Sequence, residues 1–99
     1  MRVLLMGAGG VGTAITRIAA RRSFFDEMVV ADYDLGRAQA AVTAVGDARF
    51  RAAQVNAADP TAVTALIRAT RADVVLNAVD PRFVMPIFDG ALAAGADYL

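Results

Sequence analysis

Residues 3–20 read VLLMGAGGVGTAITRIAA: a short apolar run, four glycines within six positions, then apolar residues at helical spacing. That order leaves little freedom. A buried strand ends near Met6, turns sharply and feeds a helix at once, because Val11, Ala14, Ile15, Ile18 and Ala19 fall at i, i+3, i+4, i+7 and i+8. Gly7, Gly9 and Gly12 form G-x-G-x-x-G, with Gly10 as an additional glycine. Gly7 permits the tight turn, Gly9 lets a pyrophosphate reach the backbone, and Gly12 lets the helix pack closely on the sheet. The opening N–H groups of that helix, and its positive dipole end, are left free for the anion. The expected phosphate cradle is therefore Gly7, Gly9, Gly10, Val11 and Gly12.

Alternation continues beyond the first helix. Met28–Ala31 reads as a second strand, followed by a helix with Leu35, Ala38, Ala41, Val42 and Val45 inward, Asp34 as N-cap and Gly46 past its end. Phe50–Val55 reads as a third, weaker strand. Asp59 before Pro60 is a cap with proline at the first helical position, opening a helix with Val63, Leu66 and Ile67 inward. Asp73–Val79 is the fourth strand. Pro81 and Pro86 predict an irregular turn over 80–85 and a regular helix from near Pro86, with Val84, Ile87, Phe88, Ala91 and Leu92 on one face. Gly95 stops it, and a fifth strand opens at Asp97. Strand and helix in strict alternation imply an α/β, Rossmann-type, doubly wound parallel sheet in three layers, with strand order 3-2-1-4-5. A strand beginning this close to Leu99 carries the expectation of an amino-terminal piece of a longer chain. Its unfinished edge carries the expectation of a homodimer.

Twenty residues after Gly12, Asp32 stands at the end of the second strand. A carboxylate there accepts hydrogen bonds from the adenosine ribose hydroxyls, which completes a dinucleotide fingerprint. It also repels a 2′-phosphate, and Tyr33 beside it supplies no positive charge, so NAD is favoured over NADP. Arg37 opposes that preference: from one turn into the second helix it can reach the adenosine end, or simply lie solvated. Asn56 and Asn77 follow the third and fourth strands, where ligands collect in open parallel sheets; either lines the pocket, or shapes its own loop. Asp80, Phe83 and Tyr98 are candidates for the nicotinamide end. Thr16 stands where the fingerprint has a smaller residue, narrowing the gap between helix and sheet. Arg21 and Arg22 are placed to interact with the negative end of the first helix.

Charge and composition exclude several functions. Ten arginines balance ten acidic residues, so no basic surplus is available for nucleic acid or anionic lipid. Cys, His and Lys are absent, which excludes thiolate metal sites, makes no metal site the expectation, and leaves carboxylates and tyrosines for proton transfer. Without Lys there is also no phosphate loop of the G-x-x-x-x-G-K-[ST] kind. The N-terminal apolar run is too short for a secretion signal or a membrane span, and the expected setting is cytoplasmic. No catalytic residue is assigned within the 99 positions.

Together the segments VLLMGAGGVGTA, VVADYDLGRA, NAADPTAV, VVLNAVDPRFVMP and ALAAGADYL resemble the cofactor domain of the saccharopine dehydrogenase family. The resemblance covers the whole chain. It implies NAD(P) binding, and hydride transfer between a secondary amine of an amino-acid conjugate and the imine, completed by a substrate domain beyond Leu99. It implies roles for Gly7 to Gly12 at the pyrophosphate, Asp32 at the ribose, Asn56 on the adenine side, and Asn77 with Ala78 towards the nicotinamide. Tyr33 stands where an arginine is frequent in the family, Asn56-Ala57 replaces Asp-Val, and Asp80 replaces a frequent proline. Two other readings share the glycine turn: a non-catalytic NAD(H)-sensing regulatory domain of a transport system, and an ATP-dependent adenylating enzyme.

Overall fold

A parallel sheet ordered β3-β2-β1-β4-β5 organises the chain in the computed structural model, which describes residues 1–79 and 84–99. In chain order the elements are β1 (Arg2–Met6), α1 (Gly10–Ala19), β2 (Glu27–Asp32), α2 (Leu35–Val45), β3 (Phe50–Gln54), α3 (Pro60–Thr70), β4 (Val74–Asn77), α4 (Val84–Ala94) and β5 (Asp97–Tyr98). All the pairings among the described residues are parallel, with Leu4 opposite Val29 on one side and Val75 on the other. The doubly wound architecture and its strand order are those the alternation predicts.

Central strands buried on both faces explain why β1 and β2 are continuously apolar rather than alternating. Val3, Leu5, Met28 and Val30 point to one layer, with Phe25, Ala38, Ala41 and Phe50. Leu4, Met6, Val29 and Ala31 point to the other, with Val63, Ile67, Ile87 and Ala91. The first layer lies under α1 and α2, the second under α3 and α4. The period-two geometry of a strand makes this division automatic.

Helix ends follow their caps. Asp34 Oδ1 accepts from Arg37 N–H, and Gly46 closes α2 in the left-handed conformation at φ 64°. Asp59 Oδ1 accepts from the N–H groups of Thr61 and Ala62 ahead of α3. Several boundaries differ from expectation: β1 opens one residue earlier, β2 gains a residue at each end, β3 stops at Gln54, β4 is shorter at both ends, and α4 begins at Val84 rather than near Pro86. Proline is tolerated in a first turn, where its missing N–H has no intrahelical partner to lose. The rest of the expected turn, at 80–83 with Asp80 and Phe83, lies outside the described residues, as does the side chain of Val84.

Three helix faces need correction. In α2 Ala38 and Ala41 are buried, but Leu35 at its start is exposed. In α1 the buried residues are Gly12, Thr16 and Ala19, whereas Val11 is 66% and Ile18 60% exposed. The helix approaches the sheet closely through Gly12, Thr16 and Ala19, with Ile15 half-buried against the core as expected and Ala14 exposed beside Val11 and Ile18. Thr16 fits this contact without an unmet polar group, since its hydroxyl donates to the Thr13 carbonyl at 2.7 Å. In α4 Ile87 and Ala91 are buried, but Leu92 is exposed, and Phe88 packs edge-on against Tyr98 with ring centroids 5.6 Å apart. Gly90 sets that geometry: a Cβ there would lie 2.7 Å from Val63 Cγ1, so α3 and α4 meet through a missing side chain.

The main-chain N–H groups of Arg21 and Arg22 meet the carbonyls of Ile18 and Ala19, and the carbonyls just beyond α1 are met from elsewhere. Arg49 donates to Arg22 O at 2.7 Å and to Ala20 O at 3.2 Å, and among the described residues the side chains of Arg21 and Arg22 make no such bond. Asp47 holds the guanidinium at 2.7 Å, and the Phe25 ring lies 4.3 Å beneath it. The cation at the negative end of α1 is thus one 27 residues downstream of Arg22, beyond the reach of a local reading.

Candidate functional site

Four glycines at the β1–α1 turn divide into two pairs. Gly7 and Gly12 are buried and carry the turn itself. Gly7 has φ 108°, and a Cβ on it would lie 2.8 Å from Ala78 O. A Cβ on Gly12 would lie 1.8 Å from Gly7 O, so α1 rests directly on the main chain that ends β1. Gly9 and Gly10 are exposed, and among the described residues nothing lies within 4 Å of a Cβ built on either. One pair shapes the loop; the other leaves space beside it.

Unlike α2 and α3, whose N-cap aspartates accept from their opening N–H groups, α1 starts from Gly9 with no side-chain cap. Its opening N–H groups and positive dipole end therefore remain uncompensated beside the open glycines. Such an end is suited to receive an anion.

Asp32 sits at the carboxyl end of β2 with its side chain 10% exposed, and it points into this turn. Its Oδ2 accepts from Ala8 N–H at 2.9 Å, and its Oδ1 accepts from Asp34 N–H at 2.8 Å. The carboxylate is thereby fixed between the glycine loop and the start of α2. Each oxygen keeps acceptor capacity for a further donor such as a sugar hydroxyl. Arg37 Nη2 lies 3.4 Å from Asp32 Oδ1, and Arg37 Nε 3.9 Å from Asp34 Oδ2.

A cleft of about 630 Å³ opens over the carboxyl ends of β1, β2 and β3. Its walls include Gly7, Gly9, Asp32, Tyr33, Arg37, Asn56, Ala78 and Val79, with Met6, Ala31 and Val55 at its base. Asn56 lines the cleft and also shapes its loop, accepting from Ala58 N–H at 3.0 Å. The two roles read from sequence coexist there. Gly10, Val11 and Gly12 belong to the helix mouth rather than to the walls. Asn77 turns away: its amide donates to the Tyr98 hydroxyl at 2.7 Å, and its Oδ1 accepts from Val79 N–H at 3.0 Å. That pairing ties β4 to β5 and shapes the turn leading to Val79, so Asn77 and Tyr98 hold the wall without forming it. Val79 and Ala58 carry no sequence signal as wall residues, since a wall of main chain and small side chains leaves no chemical signature.

The residues present suit a dinucleotide. Bare amides, open glycines, a fixed carboxylate and an apolar base share one cleft at the switch point between β1 and β4, where the strand order reverses. Fold and site together define a Rossmann-type dinucleotide-binding domain.

Comparison with known proteins gives the family. Residues 3–99 match the family model described as the saccharopine dehydrogenase NADP binding domain, and the chain belongs to that family. It is a domain that binds a nicotinamide dinucleotide. It is 26% identical over 98 residues to carboxyaminopropylagmatine dehydrogenase of Synechocystis sp., covering 99% of this chain and 25% of that protein. It is 28% identical over 108 residues to carboxynorspermidine synthase of Vibrio alginolyticus, covering 100% of this chain and 26% of that protein. Among solved structures, apo saccharopine dehydrogenase (L-Glu forming) of Saccharomyces cerevisiae superposes with a TM-score of 0.82 at 24% identity, over 98% of this chain and 20% of that one. The chain thus spans about a quarter of the length of the curated relatives it matches. Among the described residues no helix is long and apolar enough to cross a membrane.

Proposed function

We propose that this chain is the cofactor domain of a cytoplasmic saccharopine-dehydrogenase-like oxidoreductase acting on a secondary amine or imine of an amino-acid conjugate, with NAD as the preferred dinucleotide. The observation that carries the reading is the bond from Ala8 N–H to Asp32 Oδ2, which joins the glycine loop and the strand-two acid at one cleft. In this reading the glycine-loop amides hold the pyrophosphate, Asp32 the adenosine ribose and Asn56 the adenine side, while Ala78 lies towards the nicotinamide. A bound nicotinamide dinucleotide supplies hydride transfer. The chain's own contribution is to bind and orient, and a second domain supplies substrate contacts and proton transfer. Support comes from the family match over residues 3–99, and from relatives named as a dehydrogenase and a synthase of carboxyalkyl amines. Asp32 supports NAD, since a carboxylate at the ribose opposes a 2′-phosphate.

The test is calorimetric titration of the chain with NAD⁺, NADP⁺ and ATP in turn. Saturable binding of a nicotinamide dinucleotide, tighter than ATP, is expected. Equal or preferential ATP binding would point to an adenylating enzyme instead, and no binding of any of the three would refute the site.

A further inference from the structure

Helices cover the two faces of the sheet unequally. Towards α3 and α4, β4 presents Val75, which is fully buried, whereas Val74 and Leu76 on its opposite face are only half-buried. In β5, Tyr98 belongs to the α3–α4 layer, so Asp97 and Leu99 share the face of Val74 and Leu76, and both are exposed. The register sets Asp97 beside Val74. Handedness accounts for the bare strip. The β1–α1–β2 unit steps one way from β1 and the β4–α4–β5 unit steps the other, so right-handed crossovers put α1 and α4 on opposite faces. Among the described residues, only the flank of α1 borders β4 and β5 on the α1 side.

What borders that strip is apolar. A groove of about 260 Å³ runs along α1, lined by Ile15, Ile18, Arg22, Phe24, Met28 and Leu76, with Ile18 60% and Phe24 53% exposed. It shares no residue with the dinucleotide cleft. Arg17, Arg21 and Arg22 stand exposed along and just past the end of the helix, and among the described residues none of them has an acidic partner. The surface is thus its own complement: an apolar ridge carrying cations lies beside a bare strip carrying an anion. Both charges sit at the amino ends of the strands, since Arg22 precedes β2 and Asp97 opens β5. A two-fold axis parallel to the strands lays each ridge over the other copy's strip and keeps amino end against amino end.

We propose that a second copy of this chain docks on this face, forming a homodimer in which Ile18 and Phe24 of each copy close over Val74 and Leu76 of the other, while Arg22 pairs with Asp97 across the axis. The contact is face to face, unlike a dimer that joins β5 edges. A standard interface hides about 800 Å² on each copy, and the broadest face of this molecule spans only 31 × 24 Å, of which the patch is a part. The dimer is accordingly weak, with a dissociation constant in the micromolar range.

Sedimentation velocity of the whole chain, from low micromolar to millimolar concentration, tests this with wild type, Ile18→Asp, Arg22→Asp, Asp97→Arg and the double variant Arg22→Asp/Asp97→Arg. Circular dichroism melts establish that each variant folds, and Ile18→Gln replaces Ile18→Asp if the latter does not. Wild type is expected to pass from monomer to dimer with no larger species, because a two-fold contact closes on itself. Ile18→Asp is expected to weaken the dimer by about tenfold or more, since a carboxylate replaces an apolar contact. Each single charge reversal is expected to weaken it by about threefold or more, and the double variant to return to within about threefold of wild type. A monomer at every concentration overturns the proposal. So does a dimer that Ile18→Asp leaves unchanged, which β5 edges would give, or a double variant no tighter than its two parents.

Discussion

Replacing Gly12 by alanine tests the turn and the cleft together. The added methyl would lie 1.8 Å from Gly7 O and 2.8 Å from Gly7 C, where an ordinary contact needs about 3.5 Å. The obstacle is main chain, so no rotamer change relieves it. Nor can the peptide unit swing freely. It carries Gly7 O at one edge and Ala8 N–H at the other, and that N–H is the group held by Asp32. Moving the carbonyl away from Cβ pulls the N–H from the carboxylate. Alanine gains about 1 kcal/mol of helix propensity, against overpacking of about 1–3 kcal/mol and a charge-assisted hydrogen bond of about 1.5–3 kcal/mol. The expected net loss is roughly 2–4 kcal/mol, lowering the melting temperature by roughly 10 °C or more in a domain this small.

The matched control is Gly9→Ala. Gly9 has φ −74° and ψ −161°, an extended conformation open to alanine, and among the described residues nothing lies within 4 Å of the new methyl. Its stability is expected within about 0.5 kcal/mol of wild type, as for surface changes generally. Its NAD⁺ affinity is expected to fall by about tenfold or more, because the methyl occupies the approach of a pyrophosphate to the loop. Thermal melts by circular dichroism and calorimetric titration read the two effects separately. An unchanged melting temperature in Gly12→Ala would refute the close seating of α1 on Gly7, and undiminished affinity in Gly9→Ala would refute phosphate binding at the loop.

Asp59→Ala removes the acceptor for Thr61 and Ala62 N–H and is expected to cost about 1 kcal/mol, read as a lower urea midpoint with unchanged slope, whereas Asp59→Asn retains most of it. Hydrogen bonding to Arg49 holds the Asp47 carboxyl below the ordinary aspartate range, so the pair's contribution is complete above that range and disappears as pH falls through the folded value, below about pH 4. Arg49→Gln is accordingly expected to flatten the acid limb of a stability-versus-pH curve, and an unaltered limb would show the pair to be inert. Gly90→Ala places a methyl 2.7 Å from the stiff, buried Val63 side chain and is expected to cost about 1–3 kcal/mol. In a Val63→Ala background the same change is expected to cost measurably less, and equal costs in both backgrounds would mean that α3 and α4 do not meet there.

What the sequence disclosed and what it concealed divide along physical lines. Asp34, Asp59, Gly46 and the glycine turn act on neighbours within a few residues, and their effect follows from backbone geometry alone; each performs in the structure as the sequence implies. The face of α1 did not follow, because periodicity assumes that the bulkiest apolar residues go inward. Here close approach is the requirement, so Gly12 and Thr16 are buried while Val11 and Ile18 remain outside. Asn77 with Tyr98, and Arg49 with the end of α1, depend on partners 21 to 29 residues away, whose meeting is a product of the completed sheet. Among the described residues α2 and α3 receive an aspartate where their opening amides need one, and α1, facing the cleft, receives glycine instead. The proposed pyrophosphate would meet an uncapped helix mouth beside a fixed carboxylate, and in that reading it takes the place of the missing cap.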